Sequence, residues 1–308
     1  MALVLNPIAL NNRRFPNQTR SLLNSFEKLG ESVVIGETTD LSKEFVRWKQ
    51  EELDLLVISG GDGTMQLVLG ELLRVWGEDT LPRLLLIHGG TGGLVPTSTG
   101  NPDPTDAITL LKHSLQDQSP LLAQHLQTLR VGGRTTFSCG TGIFRRLFSE
   151  YITYRGRVDW SRIIFAARFA ASWLVQGGLA RHAFAPSAVQ VRIGDDVYPS
   201  GHFSGIYASA LDSIWGLGAF EEVPRPPGGF RVIALQAISK RSMLKGIRPL
   251  VRGDNGNLPP ELLLQGTSLL ELRSDNDPII FEAEGEFYSE KSPLIIKPGK
   301  PLTVIRLN

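Results

Sequence analysis

Residues 60–64 read Gly60-Gly61-Asp62-Gly63-Thr64, one carboxylate set among three glycines. The stretch lies between an apolar strand-like run, residues 53–59, and a helix-like run, residues 65–73. A glycine turn between strand and helix leaves backbone N–H groups free, admits a phosphate closely and aims the positive end of the helix dipole at it. A carboxylate among phosphate-binding amides has chemical purpose if it binds a metal or handles a proton. The combination points to phosphoryl transfer. A second glycine loop, Gly89-Gly90-Thr91-Gly92-Gly93, also follows an apolar run, so two such loops at neighbouring strand ends could hold parts of one nucleotide. There is no P-loop pattern and no complete dinucleotide fingerprint after a strand.

The elements that must position these loops follow from periodicity. Residues 2–5, 32–35, 53–58 and 84–88 read as strands; residues 17–29, 41–49, 64–75 and 105–114 read as helices. Continuous apolar strands alternating with helices predict a parallel sheet covered on both faces, with ligands at the carboxyl ends of its strands. Asn6-Pro7 and the two glycine loops fall at those ends. After about residue 122 short strand patterns dominate: 128–131, 135–137, 189–193, 206–209, 230–235, 269–272, 279–282 and 302–306. They predict a second, mostly antiparallel domain. The division expected is residues 1–122 for nucleotide and 123–308 for substrate, with the last strand a candidate to return to the first domain. Helices are also expected at 160–176 and 242–248. The first is basic, aromatic and amphipathic over residues 155–174, as a helix at a membrane surface or along a lipid cleft would be.

The bulk composition limits the alternatives. A chain of 308 residues favours two domains. Net charge is +1, so no global field attracts nucleic acid. The single cysteine, Cys139, reads as a small packed residue and fits a reducing compartment. The start lacks a basic and apolar leader, and no apolar run reaches the roughly 20 residues that span a bilayer. A cytoplasmic protein is expected.

Asn6-Pro7 after a first strand, Gly-Gly-Asp-Gly-Thr after a third, a Gly-Thr-Gly loop after a fourth, and Glu284-Gly285-Glu286 near the end resemble the diacylglycerol kinase catalytic family. That family includes soluble bacterial lipid kinases, sphingosine kinases and ceramide kinases. The family's late motif is Asp-Gly-Glu, with Glu replacing Asp here. The resemblance implies an α/β nucleotide domain of the NAD kinase/diacylglycerol kinase type followed by a β-sandwich domain. It implies transfer of the γ-phosphoryl of ATP, with Mg²⁺, to a lipid hydroxyl at a membrane surface, by a protein peripherally associated with that membrane. The acceptor could be diacylglycerol, ceramide, a sphingoid base or a related lipid, and the divergent loops tilt the expectation toward a sphingolipid type. Glu286 is expected as the base and Asp62 as the group that orients it, a metal or the acceptor, with the two roles exchangeable. Nucleotide contacts are expected from Asn6, Thr38, Gly60, Gly61, Gly63, Thr64, Gly90, Thr91 and Gly92, and Glu284 is expected as a supporting or metal partner. The first loop, Asn6-Pro7-Ile8-Ala9-Leu10, lacks the family's small-residue and glycine pattern, and Asn11, Asn12, Arg13 and Arg14 could supply phosphate contacts instead. The family's Asp-Asp-Gly metal stretch aligns with Pro226-Pro227-Gly228-Gly229, which holds no acid. Two other readings stay open: a nucleotide kinase of the NAD kinase type, and a non-catalytic relative that binds lipid or nucleotide. A further bland reading places Glu282, Glu284 and Glu286 along one solvent face of a single strand. The oligomeric state is open.

Overall fold

A computed structural model of the chain describes residues 1–36, 39–77, 79–90, 95, 99, 104–116, 121–152, 168–169, 171–172, 177–212, 223–236, 258–275 and 278–307. The chain divides into two compact units: Met1–Leu126 with Lys300–Asn308, and Gln127–Gly299.

The first unit alternates strand and helix: β1 (Ala2–Leu5), α1 (Leu10–Arg14), α2 (Pro16–Phe26), β2 (Glu31–Val34), α3 (Leu41–Gln50), β3 (Leu55–Gly60), α4 (Asp62–Trp76), β4 (Arg83–His88), α5 (Pro104–Gln116) and β5 (Leu122–Leu126). The last strand of the chain, β18 (Leu302–Arg306), joins them, giving the order β2-β1-β3-β4-β18-β5. Pairing is parallel except between β18 and β5. β1 and β3 are buried throughout, because helices cover both faces. On one face Leu3, Leu5, Leu55, Val57, Leu85 and Ile87 pack with Leu22 and Phe26 of α2 and Leu111 of α5. Alternation sends Val4, Leu56, Ile58 and Leu86 to the other face. On α3 and α4, Phe45 stacks near Trp48 (5.6 Å) and meets Trp76 edge-on (6.1 Å). Burying side chains of this size contributes about 1.5–3 kcal/mol each.

The second unit is built from two antiparallel sheets. One runs β10 (Asp196–Tyr198), β9 (Gln190–Ile193), β14 (Leu270–Arg273), β17 (Leu294–Pro298), β6 (Leu129–Val131), β7 (Arg134–Thr136). The other runs β13 (Leu262–Thr267), β12 (Phe230–Gln236), β11 (Phe203–Ser209), β8 (Ser138–Gly142), β15 (Ile279–Ala283), β16 (Glu286–Glu290). Their inner faces share one core, with Val191, Ile193, Leu270 and Ile296 against Phe203, Phe230, Val232 and Phe281. That is sandwich packing. The outer face of the second sheet is also covered. Tyr207 and Ile233 pack there against Ile143 and Phe144 of α6 (Ile143–Ile152) and Ala183 of α7 (Gly178–Ala183). Cover on both sides is why β11 is buried at all seven positions.

Within the described residues the expected strands and helices fall on observed elements, with bounds shifted by up to three residues, and periodicity passes over others. β5 has mostly exposed residues and no β-branched run. It pairs with β18 inside the first unit, so the first unit runs on to Leu126 and takes back Lys300–Asn308, where the sequence reading cut at 122. Asn11, Asn12, Arg13 and Arg14 form part of helix α1. The expected helix 160–176 lies outside the described residues except for Arg168, Phe169, Ala171 and Ser172, which are helical. The expected helix 242–248 lies wholly outside them.

Candidate active site

The chain runs from β1 outward to β2, then crosses to β3 on the opposite side of β1. Strand order therefore reverses between β1 and β3, and outside the carboxyl ends of the strands at such a reversal is where sheets of this kind bind ligands. Asn6 follows β1, Gly61 follows β3 and Gly89 follows β4. The loops interlock by backbone. Gly89 N–H donates to Gly60 O (2.9 Å), and Gly89 O accepts from the N–H groups of Asn11 (3.0 Å) and Asn12 (3.3 Å). A Cβ on Gly90 would fall on Gly61 Cα, one on Gly89 would stand 2.7 Å from the Asn12 amide, and one on Gly60 would stand 2.5 Å from the Thr64 side chain. At these three positions a side chain would push the loops apart, which is the physical reason for glycine. Asn6 ties the layer together: its Nδ2 donates to Thr64 Oγ1 (2.8 Å) and its Oδ1 accepts from Ile8 N–H (3.1 Å). Asn12 is buried, and its Nδ2 donates to Asn6 O (2.8 Å), so it braces the loops.

Gly61 is the residue before α4, and it has no side chain to occupy the helix's first amides. Those amides have no intrahelical partner. Gly63, in the first turn, is different from the packed glycines: among the described residues a Cβ there meets nothing within 4 Å. Half-buried Asp62 opens the helix, and its Oδ1 accepts from Val95 N–H (3.5 Å). An acid in a first turn also favours the helix through the dipole, which is its bland role. His88, just before the second loop, has its Nδ1 buried with no hydrogen-bond partner among the described residues. Thr38, Thr91 and Gly92 lie outside the described residues.

In the second unit the late glutamates do not share a strand face. Ala283 pairs with Glu286, so Glu284 and Gly285 form a two-residue turn between β15 and β16. Their φ values are +50° and +88°, the two positive values a type I′ hairpin needs. Gly285 accepts this readily; at Glu284 it costs about 1 kcal/mol. What holds Glu284 there is its side chain. Its Oε1 accepts from Ser138 N–H (2.8 Å), Phe137 N–H (3.0 Å), Thr136 Oγ1 (2.9 Å) and Ser138 Oγ (3.2 Å). Glu284 is thus an anchor that docks the turn on the junction of β7 and β8. Glu282 is 5% exposed, and its Oε1 accepts from Gly285 N–H (2.8 Å). Burial pushes its carboxyl up to about 7. Glu286, by contrast, is exposed at the start of β16. The single-face reading fails because the strand turns back after Ala283, which spacing alone does not reveal. The special place of Glu282 was missed; a glutamate inside an otherwise apolar strand pattern, Ile279-Ile280-Phe281-Glu282-Ala283, was the available signal.

Cys139 is buried, and burial drives its thiol well above the ordinary range, so it is packed rather than reactive. Pro226-Pro227-Gly228-Gly229 closes a tight turn, with Gly229 N–H donating to Pro226 O (2.7 Å). Among the described residues no helix is long and apolar enough to cross a membrane, and no group of three or more His, Cys, Asp or Glu could hold a metal. The start of α4 offers one carboxylate, Asp62, a hard oxygen donor that would fit a Mg²⁺ held mainly by substrate phosphates and water.

No curated protein sequence matches the chain. Its whole length resembles solved bacterial structures. A crystal structure of a diacylglycerol kinase from Bacillus anthracis strain Sterne is 13% identical, with TM-score 0.64, over 99% of this chain and 96% of that one. Two structures from the same strain provisionally designated diacylglycerol kinase are 15% identical, with TM-scores of 0.67 and 0.66, over 99% of this chain and 96% and 95% of theirs. At such identity the likeness shows the fold: an α/β domain followed by an antiparallel β-rich one. Residues 1–121 match the diacylglycerol kinase catalytic domain. The first 121 residues therefore belong to the diacylglycerol kinase catalytic domain family, on a chain that shares its whole fold with these bacterial proteins.

Proposed function

We propose that the protein is a lipid kinase that moves the γ-phosphoryl of ATP to the hydroxyl of a lipid alcohol. The first unit holds the nucleotide and the second the lipid. One observation carries this reading: where strand order reverses between β1 and β3, Gly60, Gly89 and Gly90 are packed so closely that no Cβ fits, and α4 begins there after a glycine, Gly61, in place of a capping side chain. The free amides of the first turn of α4, with Gly60, Gly61, Gly90 and Thr64, hold the phosphate oxygens, and the helix dipole favours their charge. Thr38, Thr91 and Gly92 extend these contacts. Bound Mg²⁺ would neutralise charge on the phosphates. Asp62 holds that cation or orients the acceptor. Glu286 takes the proton from the lipid hydroxyl as its oxygen bonds to the γ-phosphorus, and the β–γ bridging oxygen leaves with ADP. Asn6 and Glu284 keep their loops in shape for this work. The basic aromatic segment 155–174 brings the protein to anionic membrane surfaces.

Incubation with γ-labelled ATP, Mg²⁺ and a total lipid extract tests the reading. A labelled lipid, whose headgroup then names the acceptor among diacylglycerol, ceramide and sphingoid bases, supports it. Labelled NADP from added NAD supports the nucleotide-kinase alternative, and ATP binding without any labelled product overturns catalysis altogether.

A further inference from the structure

In the second unit two cations face each other across a strand pair. Leu129, Val131, Leu294 and Ile296 point into the sandwich core, so alternation sends Arg130, Ile295 and Lys297 to the outer face, where all three are exposed. Lys297 of β17 stands directly opposite Arg130 of β6 in the antiparallel register. Side chains so placed start from Cβ atoms roughly 5 Å apart, and like charges there are destabilising. The next residue across the sheet, Thr135 of β7, brings no acid. Neither cation makes an ion pair or a hydrogen bond among the described residues.

The nearby acids are committed elsewhere. Glu271, opposite Ile295 on β14, accepts from Arg273 Nε (2.5 Å). Glu290, at the end of β16, is paired with Arg134, which also donates to Gly132 O (3.2 Å) and lies 4.5 Å over the Tyr288 ring. Gly132 must be bare for this, since a Cβ there would stand 2.7 Å from Glu290 Cγ. Arg130 and Lys297, together with exposed Lys291, therefore line a hollow of about 290 Å³ beside the Gly132-Gly133 turn, with their charge unmatched. We propose that this hollow is a binding site for a phosphate group. A phosphate offers oxygens on several sides, so one group can accept from Arg130, Lys291 and Lys297 together and turn their repulsion into shared attraction. Free phosphate and the headgroup of an anionic phospholipid present that same chemistry. The site belongs to the second unit alone, goes beyond the lipid-kinase reading and does not depend on it.

The test uses the full chain, Lys297→Glu and Arg130→Gln, neither of which touches the reacting groups. Inorganic phosphate titrated at constant ionic strength should shift the amide resonances of Gly132 and Gly133 in the wild type. Each variant should weaken that response about tenfold, the loss expected for a hydrogen bond to a charged group. The sign of the stability change is the second readout. Without phosphate, Lys297→Glu replaces repulsion by attraction across the pair, so its urea midpoint should lie above that of the wild type. Added phosphate should raise the wild-type midpoint more than the variant's. Vesicles of equal parts phosphatidylglycerol and phosphatidylcholine separate the sources. Weaker co-sedimentation of both variants than of the wild type assigns the site to a lipid headgroup; equal co-sedimentation with the phosphate response intact assigns it to a free phosphate. Gly132 and Gly133 resonances that ignore phosphate, with equal co-sedimentation of all three proteins, overturn the proposal. So does a Lys297→Glu midpoint below that of the wild type, because the facing cations would then be compensated within the free protein. Arg130→Gln decides the binding arms alone should Lys297→Glu not fold.

Discussion

The two units prepare their groups by opposite means. Where strand order reverses in the first unit the working surface is backbone, and it exists because side chains are missing: Gly60, Gly89 and Gly90 leave no room for a Cβ. At the hairpin of the second unit the surface is made by side chains that are present and hidden. Glu284 accepts four hydrogen bonds through one oxygen, and Glu282 is sealed beside Tyr207, so that the one exposed glutamate, Glu286, is held in a fixed place. The first device suits a polyanion, whose charge is spread over many oxygens. The second suits a single proton transfer, which needs one carboxylate fixed in position. A sequence advertises the first, because glycine is rare enough in such runs to be noticed. It conceals the second, because three glutamates at spacing two look alike.

The comparison breaks most decisively at the reacting groups. Asp62→Asn and Glu286→Gln, each nearly isosteric, should lower kcat by about 10²–10⁴-fold with the fold intact, the range a positioned acid–base group supplies. Labelled-lipid assays with circular dichroism check this. Loss in one variant only would assign the chemistry to a single unit, and near-normal turnover in both would remove the mechanism.

Next in size is the anchor. Glu284→Ala leaves the N–H groups of Phe137 and Ser138 and two hydroxyls without their shared acceptor in a buried place. The expected cost is about 3 kcal/mol, since an unmet buried donor costs about 1–3 kcal/mol and several are involved. Urea unfolding measures it. Glu284→Gln, which retains a carbonyl acceptor, should lose less. Equal losses in the two variants would mean that charge, not the hydrogen-bond geometry, holds the turn.

These two sites show what the sequence could and could not disclose. The parallel strands were legible because burial on both faces demands unbroken apolar runs such as Leu55-Leu56-Val57-Ile58. The strands β8, Ser138-Cys139-Gly140-Thr141-Gly142, and β5 were not, since neither carries an apolar or alternating signature. β8 is buried because its neighbours β11 and β15 and the helix α6 enclose it, which is tertiary context. Of the glycine loops, the turn Gly60–Thr64 between β3 and α4 and Gly89-Gly90 after β4 were legible, since runs of glycine after an apolar strand stand out. That Asn6 and Asn12 brace those loops, and that Glu284 anchors a turn, depends on partners far away in sequence, Thr64 and Ser138, which no local pattern names.

Glu282 gives a stability signature of similar size that appears only as a slope. Unfolded, its carboxyl releases its proton near 4.5; folded, it does so at about 7. Between these values the folded chain binds more protons, so its stability falls as pH rises and levels off above about 7. The full fall attributable to this one group is about 3 kcal/mol. Urea midpoints of the wild type should fall relative to those of Glu282→Gln across that interval and run parallel to them above it. Parallel curves throughout would show that solvent reaches the carboxylate and that the buried hairpin is less sealed than its 5% exposure implies.

The finest test stays inside one helix. Gly63 and Gly70 both lie in α4, and at each a Cβ would meet nothing within 4 Å among the described residues. Packing therefore offers no reason for glycine at either position. Alanine at Gly70, in the helix interior, should stabilise the protein by about 0.5–1 kcal/mol through helix propensity, with turnover unchanged. Alanine at Gly63 should also be tolerated by the fold, with a smaller gain in the first turn. If phosphate oxygens occupy the space above that turn, however, the added methyl group takes their place, and KM for ATP should rise by about tenfold or more, a loss of about 1.4 kcal/mol in binding. Thermal unfolding and nucleotide titration separate the two effects. Gly63→Ala binding ATP as well as Gly70→Ala does would mean that the start of α4 is not where the phosphates lie, and the glycine of the first unit would then need another explanation.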